Sequence, residues 1–104
     1  MKKIYIAGPM SGLSNFNRDA FNSAAHGVLA DGNIPLNPAV YPDGLTQCEY
    51  MQLCCPMVMM ADELLMLSGW EQSAGAKVEH ELARKCGKVI NYQEMKNEQE
   101  NDTM

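Results

Sequence analysis

The chain reads as a three-layer α/β sandwich built on a four-stranded parallel sheet, and three observations predict it. Short apolar runs alternate with helical patterns in the order strand, helix, strand, helix, strand, helix, strand. The first run, Lys3-Ile4-Tyr5-Ile6-Ala7, is apolar throughout rather than alternating, as expected of a central strand buried on both faces. Each run ends at turn residues, Gly8-Pro9-Met10-Ser11-Gly12 being the first such stop. The fold class is thus Rossmann-like or flavodoxin-like, a sheet with helices on both faces.

After the first strand, Ser14 or Asn15 is placed to cap a helix in which Phe21, Ala24, Ala25, Val28 and Leu29 recur at helical spacing, with His26 at its boundary and Asp31-Gly32-Asn33 ending it. Ile34-Pro35-Leu36 forms a short second strand ending at Asn37, followed by a Pro-, Asp- and Gly-bearing loop through Tyr41. Thr46 and Glu49 have the spacing of a capping box and open a helix through Met51, Cys54, Met57 and Val58, in which Pro56 predicts a kink or a break. Its methionines suit irregular core gaps or a subunit contact. Asp62-Glu63 then begins a third strand that ends near Gly69, and Lys88-Val89-Ile90 a fourth after Gly87 stops the last helix. Residues 1–92 make one domain, and residues 93–104 read as a polar, acidic tail, mobile beyond a short helix at most.

The last helix carries the chemistry. On a wheel of about 100° per residue, Ala76, Val78, Leu82, Ala83 and Cys86 share an apolar side, and Lys77, His80, Glu81, Arg84 and Lys85 share the other. Glu79 breaks the pattern, lying near the middle of the apolar arc where a carboxylate needs compensation for lost water. Such glutamates commonly pack their stem and pair their head with a neighbouring cation; the functional alternative is a nucleophile or general base facing a cavity. The glycine-bearing stretch from Gly69 to Gly75 leads into the helix and leaves backbone N–H groups free to face an anion. Ligands of parallel sheets sit beyond the carboxyl ends of the strands, which gathers Gly8 to Gly12, Asn37 to Tyr41 and Ser68 to Glu79 around one crevice.

The net charge of −5 argues against general affinity for a nucleic-acid polymer or an anionic membrane. No apolar run approaches the ~18 residues of a membrane span, so a soluble, cytoplasmic protein is expected. Cys48, Cys54, Cys55 and Cys86 include no Cys-x-x-Cys pair, so neither a metal site nor a disulfide is expected, and no cofactor.

Two motifs together, Ile4-Tyr5-Ile6-Ala7-Gly8-Pro9-Met10-Ser11-Gly12 and Gly69-Trp70-Glu71-x-Ser73-x-Gly75-Ala76-x-x-Glu79, resemble the small phage and bacterial proteins grouped as the DUF4406 family. That family is similar to nucleoside 2-deoxyribosyltransferases and to 2′-deoxynucleoside 5′-phosphate N-hydrolases. The resemblance implies that Glu79 is the catalytic nucleophile, that Tyr5 orients it and, by a loose match, that Asp62 contacts the base; the leaving base also needs a proton, for which Asp62 is a weak candidate and Glu71 a weaker one. It also implies that Ser73 contacts a 5′-phosphate, with Gly8, Pro9, Met10, Ser11, Gly12, Asn37, Gly69, Trp70 and Gly75 around the substrate. The activity so implied is cleavage of an N-glycosidic bond in a nucleoside or nucleotide, by hydrolysis or transfer, in a homodimer or larger homo-oligomer. A non-catalytic nucleotide-binding or phage–host interaction protein of the same fold is the alternative. One departure is Glu81, where the superfamily commonly has glycine.

Overall fold

The computed structural model of the chain describes residues 1–93. The strands are β1 (Lys3–Ala7), β2 (Ile34–Leu36), β3 (Glu63–Met66) and β4 (Val89–Tyr92), and the helices α1 (Arg18–Ala30), α2 (Gln47–Met60) and α3 (Ala74–Lys85). All pairings are parallel, in the order β2-β1-β3-β4. The tail expected beyond Gln93 lies outside the described residues.

Strand alternation sorts the core into two layers. Tyr5 and Ala7 of β1 and Leu64 and Met66 of β3 pack with Cys54, Val58 and Ala61 from the α2 segment and with Ala76 and Ala83 of α3. Ile6 and Leu67 face the other way and pack with Phe21 and Ala25 of α1. This division follows from right-handed crossovers: the step from β1 to β2 runs in the opposite direction along the sheet from the steps to β3 and β4, so α1 covers one face and α2 and α3 the other. The connections leaving β1 and β3 therefore diverge to opposite faces, and the gap between them at the carboxyl ends is where a parallel sheet takes its ligand.

Local details differ from the sequence expectations at three places. First, neither Ser14 nor Asn15 caps α1. Asn15, Phe16 and Asn17 adopt left-handed backbone, with φ of 50°, 54° and 60°, and α1 starts only at Arg18. Asparagine tolerates that region and phenylalanine does not; Asn17 Nδ2 holds the turn by donating to Pro9 O at 2.9 Å, and the Arg18 guanidinium lies 5.2 Å from the centre of the Phe16 ring. Second, α2 runs unbroken through Pro56. Pro56 and Gln52 are both exposed, so the carbonyl that Pro56 leaves without a donor is open to water, while Cys54 and Val58 anchor the opposite side. The capping box forms as expected, with Glu49 N donating to Thr46 Oγ1 at 3.1 Å and Thr46 N to Glu49 Oε1 at 2.8 Å. Third, Val78 and Cys86 are exposed; the face of α3 turned inward is Ala76, Glu79 and Ala83, with Leu82 partly covered. The carboxylate thus sits in the middle of the buried stripe.

Gly8 marks the closest approach of the β1 loop to β3. A Cβ at that position would lie 2.8 Å from Leu67 Cβ, inside the core beneath α1. Gly8→Ala is expected to cost about 1–3 kcal/mol, read as a lower urea midpoint at unchanged slope; an unchanged midpoint would show that the two strand ends can separate freely.

Candidate active site

The alternation of β1 points the Tyr5 side chain at the α2–α3 face, where Glu79 arrives in the second turn of α3. Tyr5 Oη donates to Glu79 Oε2 at 2.9 Å, joining residues 74 apart in sequence inside the protein. Both are buried, at 1% and 7% exposure, and Glu79 is the one buried charged residue among the described residues. Burial pushes the Glu79 carboxyl up to about 7, partly opposed by the Tyr5 hydrogen bond, which favours the charged form. Tyr5 is itself raised well above the ordinary phenol value, first by burial and then by the negative charge of Glu79, so it remains a donor at every physiological pH. The Cys54 thiol beside it is pushed up to about 11, chiefly by burial, and stays protonated.

These groups form the floor of a cleft at the carboxyl ends of β1 and β3. The β1 loop contributes Gly8, Met10 and Ser11, and the start of α3 contributes Ser73, Gly75 and Ala76. The first turns of α2 supply Tyr50, Met51 and Cys54, and the loop before α2 supplies Tyr41, Pro42 and Asp43. Phe16 and Arg18 complete the wall. Ser73 caps α3, its Oγ accepting from Ala76 N at 3.1 Å. Glu79, Tyr5, Gly8, Met10, Ser11, Ser73 and Gly75 are therefore brought together as the sequence suggested.

Other candidates are placed elsewhere. Asp62 stands at the amino end of β3, the edge of the sheet opposite the cleft, where its Oδ2 accepts from Lys3 N at 2.8 Å and Lys3 Nζ at 3.3 Å. Those bonds, the backbone one foremost, hold its carboxyl below the usual range, and its role is to tie β1 to β3 rather than to meet a base. Asn37 caps the turn after β2: its Oδ1 accepts from Ala39 N at 3.0 Å and its Nδ2 donates to Asn22 Oδ1 at 3.0 Å. Gly69 and Trp70, with Glu71, border a separate hollow at the end of β4, where the Trp70 ring stacks on His80 with centroids 4.4 Å apart and His80 Nε2 meets Tyr92 Oη at 2.7 Å. Pro9 and Gly12 belong to the β1 loop without lining the cleft; Pro9 lies against Gly69.

Arg18, Asp43, Phe16 and Tyr50 were not singled out from sequence. Arg18 carried one physical signal, a cation in the first turn of a helix where the macrodipole disfavours it. The conflict is resolved by acceptors outside the helix: Nε donates to Ala39 O at 3.2 Å, Nη2 to Tyr41 O at 3.3 Å, and Nη2 pairs with the Asp43 carboxylate. Arg18 thereby fixes the loop that forms one side of the cleft.

A parallel α/β domain with one buried, hydrogen-bonded carboxylate at the floor of a cleft beyond its strand ends is the class of protein that this geometry defines. The chain belongs to the family described as domain of unknown function (DUF4406), which matches residues 2–92 and so takes in the whole sheet and both Tyr5 and Glu79. No curated protein matches the chain. No helix among the described residues is long and apolar enough to cross a membrane.

Proposed function

We propose that the chain cleaves the N-glycosidic bond of a nucleoside or nucleotide, with Glu79 as nucleophile and Tyr5 as the group that positions it. The observation that carries this reading is the Tyr5–Glu79 hydrogen bond in a cleft lined by aromatic side chains. Breaking the bond between C1′ and a base develops positive charge on the sugar, which a carboxylate stabilises or captures. At about 7, the Glu79 carboxyl is ionised in roughly half of the molecules at neutral pH, and its desolvated oxygen is more nucleophilic than one in water. Tyr5 fixes one oxygen and leaves the other without a donor among the described residues, free to reach C1′. The free backbone N–H groups at the start of α3, with Ser11 and Ser73, suit sugar hydroxyls or a phosphate. Water as the second acceptor makes the protein a hydrolase, and a second base makes it a transferase.

Incubation with a panel of nucleosides and 5′-monophosphates, followed by chromatography for free base, tests the reading. Release by the wild type and at least a thousandfold less by Glu79→Gln is expected. Equal release by both would remove Glu79 from the chemistry; thermal stabilisation by nucleotides without release from either would leave a binding protein. Self-association is part of the same proposal, since α2 leaves Leu53, Met59 and Met60 exposed on its outer side. Light scattering at micromolar concentration is expected to give a dimer or larger, and a monomer would contradict it.

A further inference from the structure

The charges of the cleft decide what kind of base it suits. Among the described residues, Arg18, Asp43 and Glu79 are the charged side chains lining it. Four of the five N–H donors of Arg18 are taken up by protein acceptors, the carbonyls of Ala39 and Tyr41, Asn15 Oδ1 and the Asp43 carboxylate, which leaves one Nη1 N–H and no uncompensated charge for a phosphate. Arg18 and Asp43 cancel. Glu79 remains, with Tyr5 as its hydrogen-bond donor and no cationic partner among the described residues. Tyr5 and Cys54, the titratable groups packed on it from β1 and α2, are both held protonated and neutral, as is Cys55 behind them. A buried carboxylate without a counter-ion, in a cleft walled by Phe16, Tyr41 and Tyr50, attracts an organic cation beside it, while the N–H groups at the start of α3 remain for the sugar hydroxyls or a phosphate.

The leaving group points the same way. An uncharged base departs as an anion unless an acid protonates it. Asp62 is at the far edge of the sheet, bonded to Lys3, and Asp43 is bonded to Arg18. Neither is free to deliver that proton, and Glu71 borders the separate hollow at the end of β4 rather than the cleft.

Resting on the glycosidic reading above, we infer that the substrate is a nucleoside whose base is already a fixed cation, a pyridinium or an N-alkylated purine, which leaves as a neutral molecule with no proton from the protein. The C1′–N bond breaks with its electron pair passing to the ring nitrogen, which cancels the positive charge. A Glu79 oxygen bonds C1′ as it does so. Water then displaces the carboxylate from C1′, giving the free sugar and one proton released to solvent. The cation also supplies the counter-charge that Glu79 otherwise lacks, so binding and chemistry draw on the same interaction.

The test uses the whole chain at pH 8, where Glu79 is ionised. N-ribosylnicotinamide and 7-methyladenosine, which has no ring N–H to lose and so stays cationic at this pH, are compared with guanosine, deoxyguanosine and dGMP for release of free base, the protein-free rate being subtracted. The cationic pair is expected to give kcat/KM at least tenfold above the others. The preference for charge is read separately from leaving-group reactivity: the KM for N-ribosylnicotinamide is expected to be at least tenfold below the inhibition constant of its uncharged 1,4-dihydro form, which has nearly the same shape. Glu79-dependent release from guanosine, deoxyguanosine or dGMP at an equal or greater rate would overturn the inference and leave the proposed function standing, as would equal affinity for the two nicotinamide forms. Absence of Glu79-dependent release from all five compounds would overturn both.

Discussion

Glu79→Gln is expected to stabilise the protein at pH 8 by about 3 kcal/mol and to leave its stability at pH 4 nearly unchanged. The carboxyl is raised from 4.5 to about 7 by burial, so the folded protein holds its proton more tightly than the unfolded chain does. Below the unfolded value the group is protonated in both states and contributes nothing to pH dependence. Between about 4.5 and 7 the unfolded chain ionises first, and stability falls as pH rises; above 7 the full deficit is present. Glutamine keeps the volume and an oxygen to accept from Tyr5 while removing the ionisation, so the difference between variant and wild type should grow through that window and then level off. Effects of the other shifted carboxylates, Asp62, Glu63 and Glu81, are common to both proteins and drop out of the difference. Urea unfolding across pH 4 to 8 reads it, and parallel stability profiles for the two proteins would show that Glu79 is not desolvated in the folded state. A variant that loses function while gaining stability is the expected signature of a strained functional site.

Tyr5→Phe is expected to move the pH dependence of base release toward alkali. Removing the hydroxyl takes away the one hydrogen bond that favours the charged form of Glu79, so burial acts unopposed and the carboxyl rises further above 7. Activity at pH 7 should fall about fivefold for the first pH unit by which the midpoint of the profile moves and about tenfold for each further one, and much of it should return at pH 9. Phenylalanine fills the same space between Cys54 and Leu64, so the stability cost should stay within about 1–2 kcal/mol, greatest where Glu79 is ionised. A uniform loss of activity at every pH would point instead to displacement of the substrate.

The class of fold was legible because periodicity carried it. An all-apolar β1 and the switch to helical spacing after each turn specify a parallel sheet, and right-handed crossovers then leave few ways to order four strands. Glu79 was legible for the same reason, as one residue that violates an otherwise consistent helix. Asp62 misled because sequence gives which strand a residue belongs to more readily than which end of the sheet it occupies, and an acid before a strand lies at the amino edge. Asn37 and Trp70 sit at the correct edge, yet their partners are Asn22 and His80, contacts between distant segments that no local pattern encodes. Arg18 was missed because its acceptors other than Asn15 come from a loop 21 to 25 residues away. The three left-handed residues before it are fixed by Asn17 reaching back to Pro9, a tertiary bond that overrides the caps suggested by Ser14 and Asn15.

The most direct test is the mass of the protein after brief reaction with a nucleoside carrying fluorine at C2′, quenched in acid. Fluorine destabilises positive charge at C1′ and slows both steps, and a pyridinium base on that nucleoside keeps the first step the faster, so a covalent sugar ester accumulates if a carboxylate attacks. The expected result is one sugar added per chain, on the peptide containing Glu79, and none on Glu79→Gln. Base release from that nucleoside without any adduct, or an adduct on another residue, would contradict the assignment of Glu79 as nucleophile.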